Sequence, residues 1–277
     1  MITNKFFSKI SSKKNVDFSE KDSFDFPVNE IFYWRPLTGG HNFGDHLAKI
    51  IVNKVLATHG HMVEEEVNIS KKIFSVGSVL HFAKNDNVIW GSGINGKKMS
   101  LEDHQYKTLD VRAVRGPLTR NFLSEKNIFV PEIYGDPALL LPYIFPDRFK
   151  KNSKKSISIV PNLHDLPKIK NKTLHNIISP FSSWNKCIKE ILEAELIISS
   201  SLHGIIIAEA YGVPARYVRL SETENMFKYN DYMLGTGRSH MEAANNIDEA
   251  IEIGGMSHLV FNPTPLLNAF PIDLWKN

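Results

Sequence analysis

Several things are scarce in this sequence, and each scarcity removes a class of function. A single cysteine, Cys187, in 277 residues excludes an intrachain disulfide and fits a reducing compartment. No apolar run approaches the ~20 residues that a membrane span needs. Lysines 5, 9, 13 and 14 punctuate the start of the chain among the isolated apolar residues Phe6, Phe7 and Ile10, and the apolar h-region of a signal peptide is missing. The expectation is a polar leader, residues 1–28, disordered like most termini, on a cytoplasmic protein. A basic, aromatic contact with the inner face of the membrane is the alternative. Net charge is only +3, with basic residues scattered rather than striped, which argues against a nucleic-acid partner. The eleven histidines form no metal set: His59 and His61 have neither an H-E-x-x-H pattern nor a cysteine pair beside them. No Gly-x-Ser-x-Gly elbow supports a hydrolase triad.

What is present is the alternation of an α/β protein. The 42% hydrophobic and 23% charged fractions are those of an ordinary soluble globular enzyme. Ile31 to Trp34 reads as a strand, followed by a glycine-rich loop and a helix over 45–58. Strands are expected over 71–79, 88–90 and 111–114, and Pro117 can open a helix at its first position. A further strand is expected over 129–134. The stretch 146–155 is polar and basic and reads as a linker. The pattern then restarts with strands at 156–160 and 177–178, a helix over 182–194, a strand at 196–198 and a helix from 203 to about 212. A strand over 215–220 follows, then a loop over 221–237 and a last helix over 239–253, with a break at 245–249. Two such halves imply two Rossmann-like domains facing across a cleft, 29–150 and 151–277, with the last helix packing back on the first.

The stretch Glu195 to Gly212 is the most informative. Leu196 to Ile198 is short and apolar, three serines interrupt it, and His203-Gly204 opens the next apolar segment. His203 therefore stands where a strand hands over to a helix amino terminus, a place that binds anions. The competing reading is a serine cap and a satisfied core histidine. Arg115 follows a strand directly and can fork onto phosphate or carboxylate, or serve in a structural ion pair. Asp136, in Gly-Asp-Pro, reads as a turn residue. Asp45 reads as a helix cap or a contact to a substrate hydroxyl. Gly91-Ser-Gly-Ile-Asn-Gly96 fits the dinucleotide pattern, but no amphipathic helix follows it and no acid ends a second strand, so it is a glycine turn lining the cleft.

Taken in order, these pieces resemble the polysaccharide pyruvyltransferase family, in its succinoglycan-type branch. The matching segments are Gly39 to Asp45, Trp90 to Ile94, Val114 to Arg120, Tyr134 to Pro142, Ser199 to Gly212, Phe227 to Tyr232 and Thr236 to Arg238. The resemblance implies a GT-B-like pair of domains, the first on the acceptor side and the second on the donor side. It implies phosphoenolpyruvate as donor, a sugar or lipid-linked oligosaccharide as acceptor, and a cyclic pyruvate ketal as product in exopolysaccharide or capsule biosynthesis. No cofactor or metal is implied. His203 and Arg115 match the catalytic positions. Ser200, Ser201, Leu202, Gly204, Arg238, Asn42, Gly44, Asp45, Gly91, Ser92 and Asp136 become candidate substrate contacts. Many relatives carry arginine where this chain has Ser201, and Arg238 or Arg219 is the expected replacement cation. The alternatives are a GT-B glycosyltransferase, with Glu209 holding the ribose of a nucleotide sugar, and a non-catalytic glycan-binding relative.

Overall fold

The computed structural model describes residues 24–36, 40–154, 157–169, 173–222 and 224–276. Residues 1–23 of the polar leader and the start of the glycine-rich loop, 37–39, lie outside the described residues. The first half carries β1 (Glu30–Phe32), α1 (Phe43–Thr58), β2 (Lys72–Phe74), β3 (Asn87–Trp90), β4 (Leu109–Ala113), α2 (Pro117–Glu125) and the short α3 (Leu141–Ile144). The second carries β5 (Ile157–Val160), α4 (Leu166–Ile169), β6 (Asn176–Ile177), α5 (Trp184–Leu192), β7 (Leu196–Ser199), α6 (Leu202–Ala210) and β8 (Ala215–Val218). After these come α7 (Phe227–Gly235), β9 (Ala243–Ala244), α8 (Ile247–Ile253) and α9 (Thr264–Asn268).

The strands form two parallel sheets, ordered β1-β2-β3-β4 and β6-β5-β7-β8-β9 among the described residues. A parallel sheet is covered on both faces, which is why its strands read as apolar runs rather than alternating ones. Alternate side chains divide the first sheet. Ile31 and Ile73 face the main buried cluster, whereas Phe32 and Phe74 stack 4.5 Å apart in a second one. Among the core helices α6 is enclosed on every side: Ile205, Ile206, Ile207 and Ala208 are all fully buried. A helix of that kind belongs in the interior. It lies between the second sheet and the turn Pro137–Leu140 of the first half, while α1 packs on α5. Each buried isoleucine contributes roughly 1.5–3 kcal/mol. The main buried cluster thus runs without interruption from residues of the first half to residues of the second.

Three local expectations are corrected. Residues 129–134 form no strand and contribute only the bridge Val114–Tyr134. The expected loop over 221–237 contains α7, whose inward face carries Tyr229, Asp231, Tyr232 and Met233. A buried carboxylate and two tyrosines on that face hid its helical period. The expected helix over 239–253 is β9 followed by α8, and Asn246 caps α8 by accepting from Glu249 N at 2.9 Å. α8 packs on the second sheet. The segment beyond it reaches the first: Trp90 Nε1 donates to Leu266 O at 2.8 Å, and Asn29 Nδ2 to Leu274 O at 3.0 Å. No described helix is long and apolar enough to cross a membrane.

Candidate active site

Every loop that leaves the carboxyl end of β1, β2, β3, β5 and β7 contributes to one cavity of about 280 Å³. Open α/β sheets place their ligands at this edge. Trp34, Asn42 and Asp45 come from the first loop, Ser78 and His81 from the second, and Asn95 and Lys97 from the third. Asn162 and His164 follow β5, Ser201 to His203 follow β7, and Glu224 and Lys228 come from the approach to α7 and its first turn. Asn42, rather than Asp45, caps α1, its Oδ1 accepting from Gly44 N at 3.0 Å. Asp45 sits in the first turn with its carboxylate free to face the cavity.

At the floor, Ser199 Oγ accepts from Ser201 N at 3.0 Å and donates to Val160 O at 2.8 Å, which folds the serine run back on β5. Ser201 occupies the N-cap position of α6 without a side-chain capping bond. The N–H groups of the first helical turn are therefore aimed where an anion would sit. His203 is only 12% exposed. Its ring lies directly over Gly44, where a Cβ would overlap Nδ1. Its Nε2 faces Asp136 Oδ2 at 3.8 Å, and both atoms are buried without a hydrogen-bond partner. Asp136 also holds a turn as foreseen, its Oδ1 accepting from Ala138 N at 2.9 Å.

Burial governs the charges here. It pushes the His203 imidazole down to about 3, aided by Lys228 and Arg115, so the ring is neutral at physiological pH. Burial raises Asp136 to about 6 against the pull of its backbone bond and of Arg115. It raises Asp45 to about 7, which Lys228 opposes and Asp136 reinforces. Near neutral pH a proton is thus held on the carboxylates. Because Asp45 binds its proton more tightly folded than unfolded, the folded state loses stability progressively from pH ~4 up to about 7. Asp45→Asn is expected to raise Tm above pH 7 by about 2–4 °C, the shift that ~1 kcal/mol gives a chain of this size. Below pH 4 it should leave Tm unchanged, and thermal melts across pH 4–8 check both limbs.

The other expected site residues divide sharply. Asn42, Asp45, Ser201, Leu202 and His203 line the cavity. Gly44 and Asp136 touch His203 from outside it. Ser200 is buried and binds Asn162 N and, through its carbonyl, Tyr229 Oη. Gly204 packs on Ser199 and Val160, Gly91 on Pro137, and Ser92 Oγ donates to Gly77 O at 2.9 Å; these four stand outside the lining. The Gly91–Gly96 turn reaches the cavity through Asn95 alone, while its glycines give close approach: a Cβ on Gly93 would overlap the Arg115 guanidinium.

Arg115 itself is fully buried, with Nε 3.0 Å from Asp231 Oδ2 and Nη2 2.9 Å from Ile94 O. Only Nη1, 2.5 Å from Ser78 Oγ, reaches toward the cavity wall. Arg238 pairs with Glu209 at 2.6 and 2.9 Å, and Tyr232 Oη donates to the same carboxylate at 2.6 Å. Neither Arg238 nor Glu209 lines the cavity, and Arg219 is turned onto the carbonyls of Glu222 and Glu224. The cavity's cations are instead Lys228 and Lys97, which flank Glu224 at 2.5 and 2.7 Å. Burial holds the Lys228 ammonium below its usual range. Lysines carry no positional signal in a sequence, and Lys228 became placeable only once α7 was seen. Asn162, His81 and His164 were missed for the same reason. Among the described residues no His/Cys/Asp/Glu group is placed to hold a metal ion.

The segments that build this cavity also place the chain among known proteins. The polysaccharide pyruvyl transferase family model matches residues 3–222, and the chain belongs to that family. It is 30% identical over 212 residues to the succinoglycan biosynthesis protein ExoV of Rhizobium meliloti (strain 1021), covering 73% of this chain and 63% of that protein. It is 26% identical over 212 residues to the uncharacterized protein L143 of Acanthamoeba polyphaga mimivirus, covering 69% and 70% respectively. The family match ends before α7, so Lys228, Asp231 and Arg238 lie beyond it.

Proposed function

We propose that this chain transfers the pyruvyl group of phosphoenolpyruvate to two hydroxyls of a sugar residue, forming a cyclic ketal during exopolysaccharide biosynthesis. The observation that carries the reading is the facing pair His203 Nε2 and Asp136 Oδ2, buried without partners at a helix start beside Lys228 and Lys97. A donor with a phosphate and a carboxylate needs ammonium groups and backbone N–H donors, and this cavity offers both. Family membership and the likeness to ExoV point to the same chemistry. On this reading the two sheets are the facing halves of a GT-B-like transferase, acceptor on the first and donor on the second.

In the reaction, an acid delivers a proton to the donor's methylene carbon, and a sugar hydroxyl attacks C2 as positive charge develops there. The C2–O bond to phosphate breaks, and the second hydroxyl closes the ketal. The sugar gives up two protons; one replaces that placed on carbon and the other leaves with phosphate. The carboxylates Asp45 and Asp136 store the acid proton, because burial raises both. A bound trianionic donor raises His203 from its depressed value, so the imidazole can take the sugar's other proton and pass it to the departing phosphate. Arg115, held from behind by Asp231, positions Ser78 at the wall. Glu209, which a nucleotide-sugar enzyme would need free, is engaged by Arg238 and Tyr232.

Incubation with carbon-labelled phosphoenolpyruvate and acid-depyruvylated succinoglycan oligosaccharides is the direct test. Release of phosphate matched by label appearing as a ketal methyl in the sugar is expected. Label that stays with the donor while a purified, folded enzyme is present refutes the reading. Lys228→Met should raise KM for phosphoenolpyruvate about 10–100-fold, the value of one or two charge-assisted hydrogen bonds. An unchanged KM would remove Lys228 from the donor site.

A further inference from the structure

A second and larger cavity, of about 630 Å³, runs beside the first. Its walls come from Phe32 on β1, Lys72 and Asn87 at the starts of β2 and β3, and the 81–85 and 102–106 segments. It therefore extends along the Phe32–Phe74 face of the first sheet, away from the carboxyl edge. His81 and Phe82 line both cavities, so the two spaces meet at that pair. At about 280 Å³ the first cavity falls just below the ~300–1,000 Å³ typical of small-molecule sites. It has room for a three-carbon donor and the reacting edge of one sugar, but not for the residues behind that sugar.

The chemistry of the larger cavity fits a carbohydrate. Phe82 is half-buried and packs 5.4 Å from Phe32 and 4.1 Å from His81, presenting aromatic surface to the C–H face of a pyranose. Asn85 uses its carbonyl oxygen for the N–H groups of Lys107 and Thr108, and Asn87 uses its own for Lys84 N. Both amide nitrogens remain as donors to hydroxyls. Gln105 is exposed, with no side-chain hydrogen bond among the described residues. At the junction, His81 Nδ1 is buried without a partner. Burial, with His104 and Lys98 nearby, holds this imidazole at about 4, so it is neutral and able to accept a hydrogen bond.

We propose that the larger cavity is an oligosaccharide subsite: the acceptor chain lies along it on Phe82 and the amides, and its reacting residue passes His81 into the donor cavity. This assignment rests on the pyruvyl-transfer reading for the identity of the acceptor, and its test separates the two. Gln105→Trp places an indole in the larger cavity only, at a position that holds no structural hydrogen bond. With depyruvylated succinoglycan oligosaccharides as acceptor, it should raise the acceptor KM at least tenfold. The dissociation constant of phosphoenolpyruvate, titrated alone, should stay within twofold. An unchanged acceptor KM, or an equal loss of donor binding, overturns the subsite. If the wild-type enzyme transfers no pyruvyl group to these oligosaccharides, the activity reading fails by itself, and saturation-transfer NMR with the same oligosaccharides decides the subsite. A signal in the wild type and in His203→Ala that disappears in Gln105→Trp supports it. No wild-type signal, or one that Gln105→Trp leaves intact, overturns it.

Discussion

His203→Ala is expected to lower kcat for pyruvyl transfer by about 10²–10⁴-fold, the range for loss of a positioned general acid or base, while the chain still folds. The ring is 12% exposed at a cavity wall, and its Nε2 makes no hydrogen bond that the fold depends on. Removing it therefore relieves a buried polar atom and leaves the α6 core of Ile205 to Ala208 untouched. Gly44→Ala gives an independent route to the same result. A Cβ there overlaps Nδ1, Cγ and Cβ of His203, so the imidazole has to leave its position opposite Asp136. A displacement near 1 Å can reduce catalysis about 10²-fold. Gly44→Ala should therefore keep the catalytic group and lose the rate. Steady-state kinetics with thermal melts on both variants check this. Near-normal kcat in His203→Ala, or a Gly44→Ala enzyme as active as wild type, would remove His203 from the reaction.

How far the sequence led can be judged at particular residues. The strand, serine run and helix around His203 were legible because a buried parallel strand and an enclosed helix leave hydrophobic runs, here Leu196 to Ile198 and Ile205 to Ala208, and the residues between them must turn. Asn42 and Asp45 were legible for the same reason, at the handover from β1 to α1. Arg115 was correctly placed at a strand end, but its partner was not. Asp231 lies 116 residues away on a helix whose buried face mixes tyrosine with carboxylate, and hydrophobic period cannot find such a face. Arg238 shows the converse error. Local sequence offered a spare cation, while tertiary structure had matched it to Glu209. The lysines that line the cavity, Lys97 and Lys228, gave no local signal, because any lysine in a loop or first turn reads as solvated.

Asp231→Ala is expected to have the largest effect on stability, a loss of about 3–5 kcal/mol, because it strands a buried guanidinium. Asp231 and Arg115 are both fully buried. Beyond its bond to Arg115, the carboxylate accepts from Thr119 N at 2.9 Å and Thr119 Oγ1 at 2.7 Å, capping from α7 a helix, α2, that Gly116 leaves without a side-chain cap. Thr119 Oγ1 in turn accepts from Ile94 N at 3.1 Å, and Arg115 returns to Ile94 O. One carboxylate thereby fixes the 91–96 turn, α2 and α7, the elements that carry Lys97 and Lys228 into the cavity. At about 2–4 °C per kcal/mol for a chain of this size, Tm should fall by about 6–20 °C. Arg115→Met with Asp231→Leu should be milder than the sum of the single losses, since no buried charge is left alone. Kinetics at a temperature where Asp231→Ala is fully folded distinguish positioning from direct contact. A KM for phosphoenolpyruvate within tenfold of wild type keeps Arg115 behind the wall. A larger rise would mean that Asp231 positions the donor's cations, whether Arg115 itself or Lys97 and Lys228 on the elements it holds.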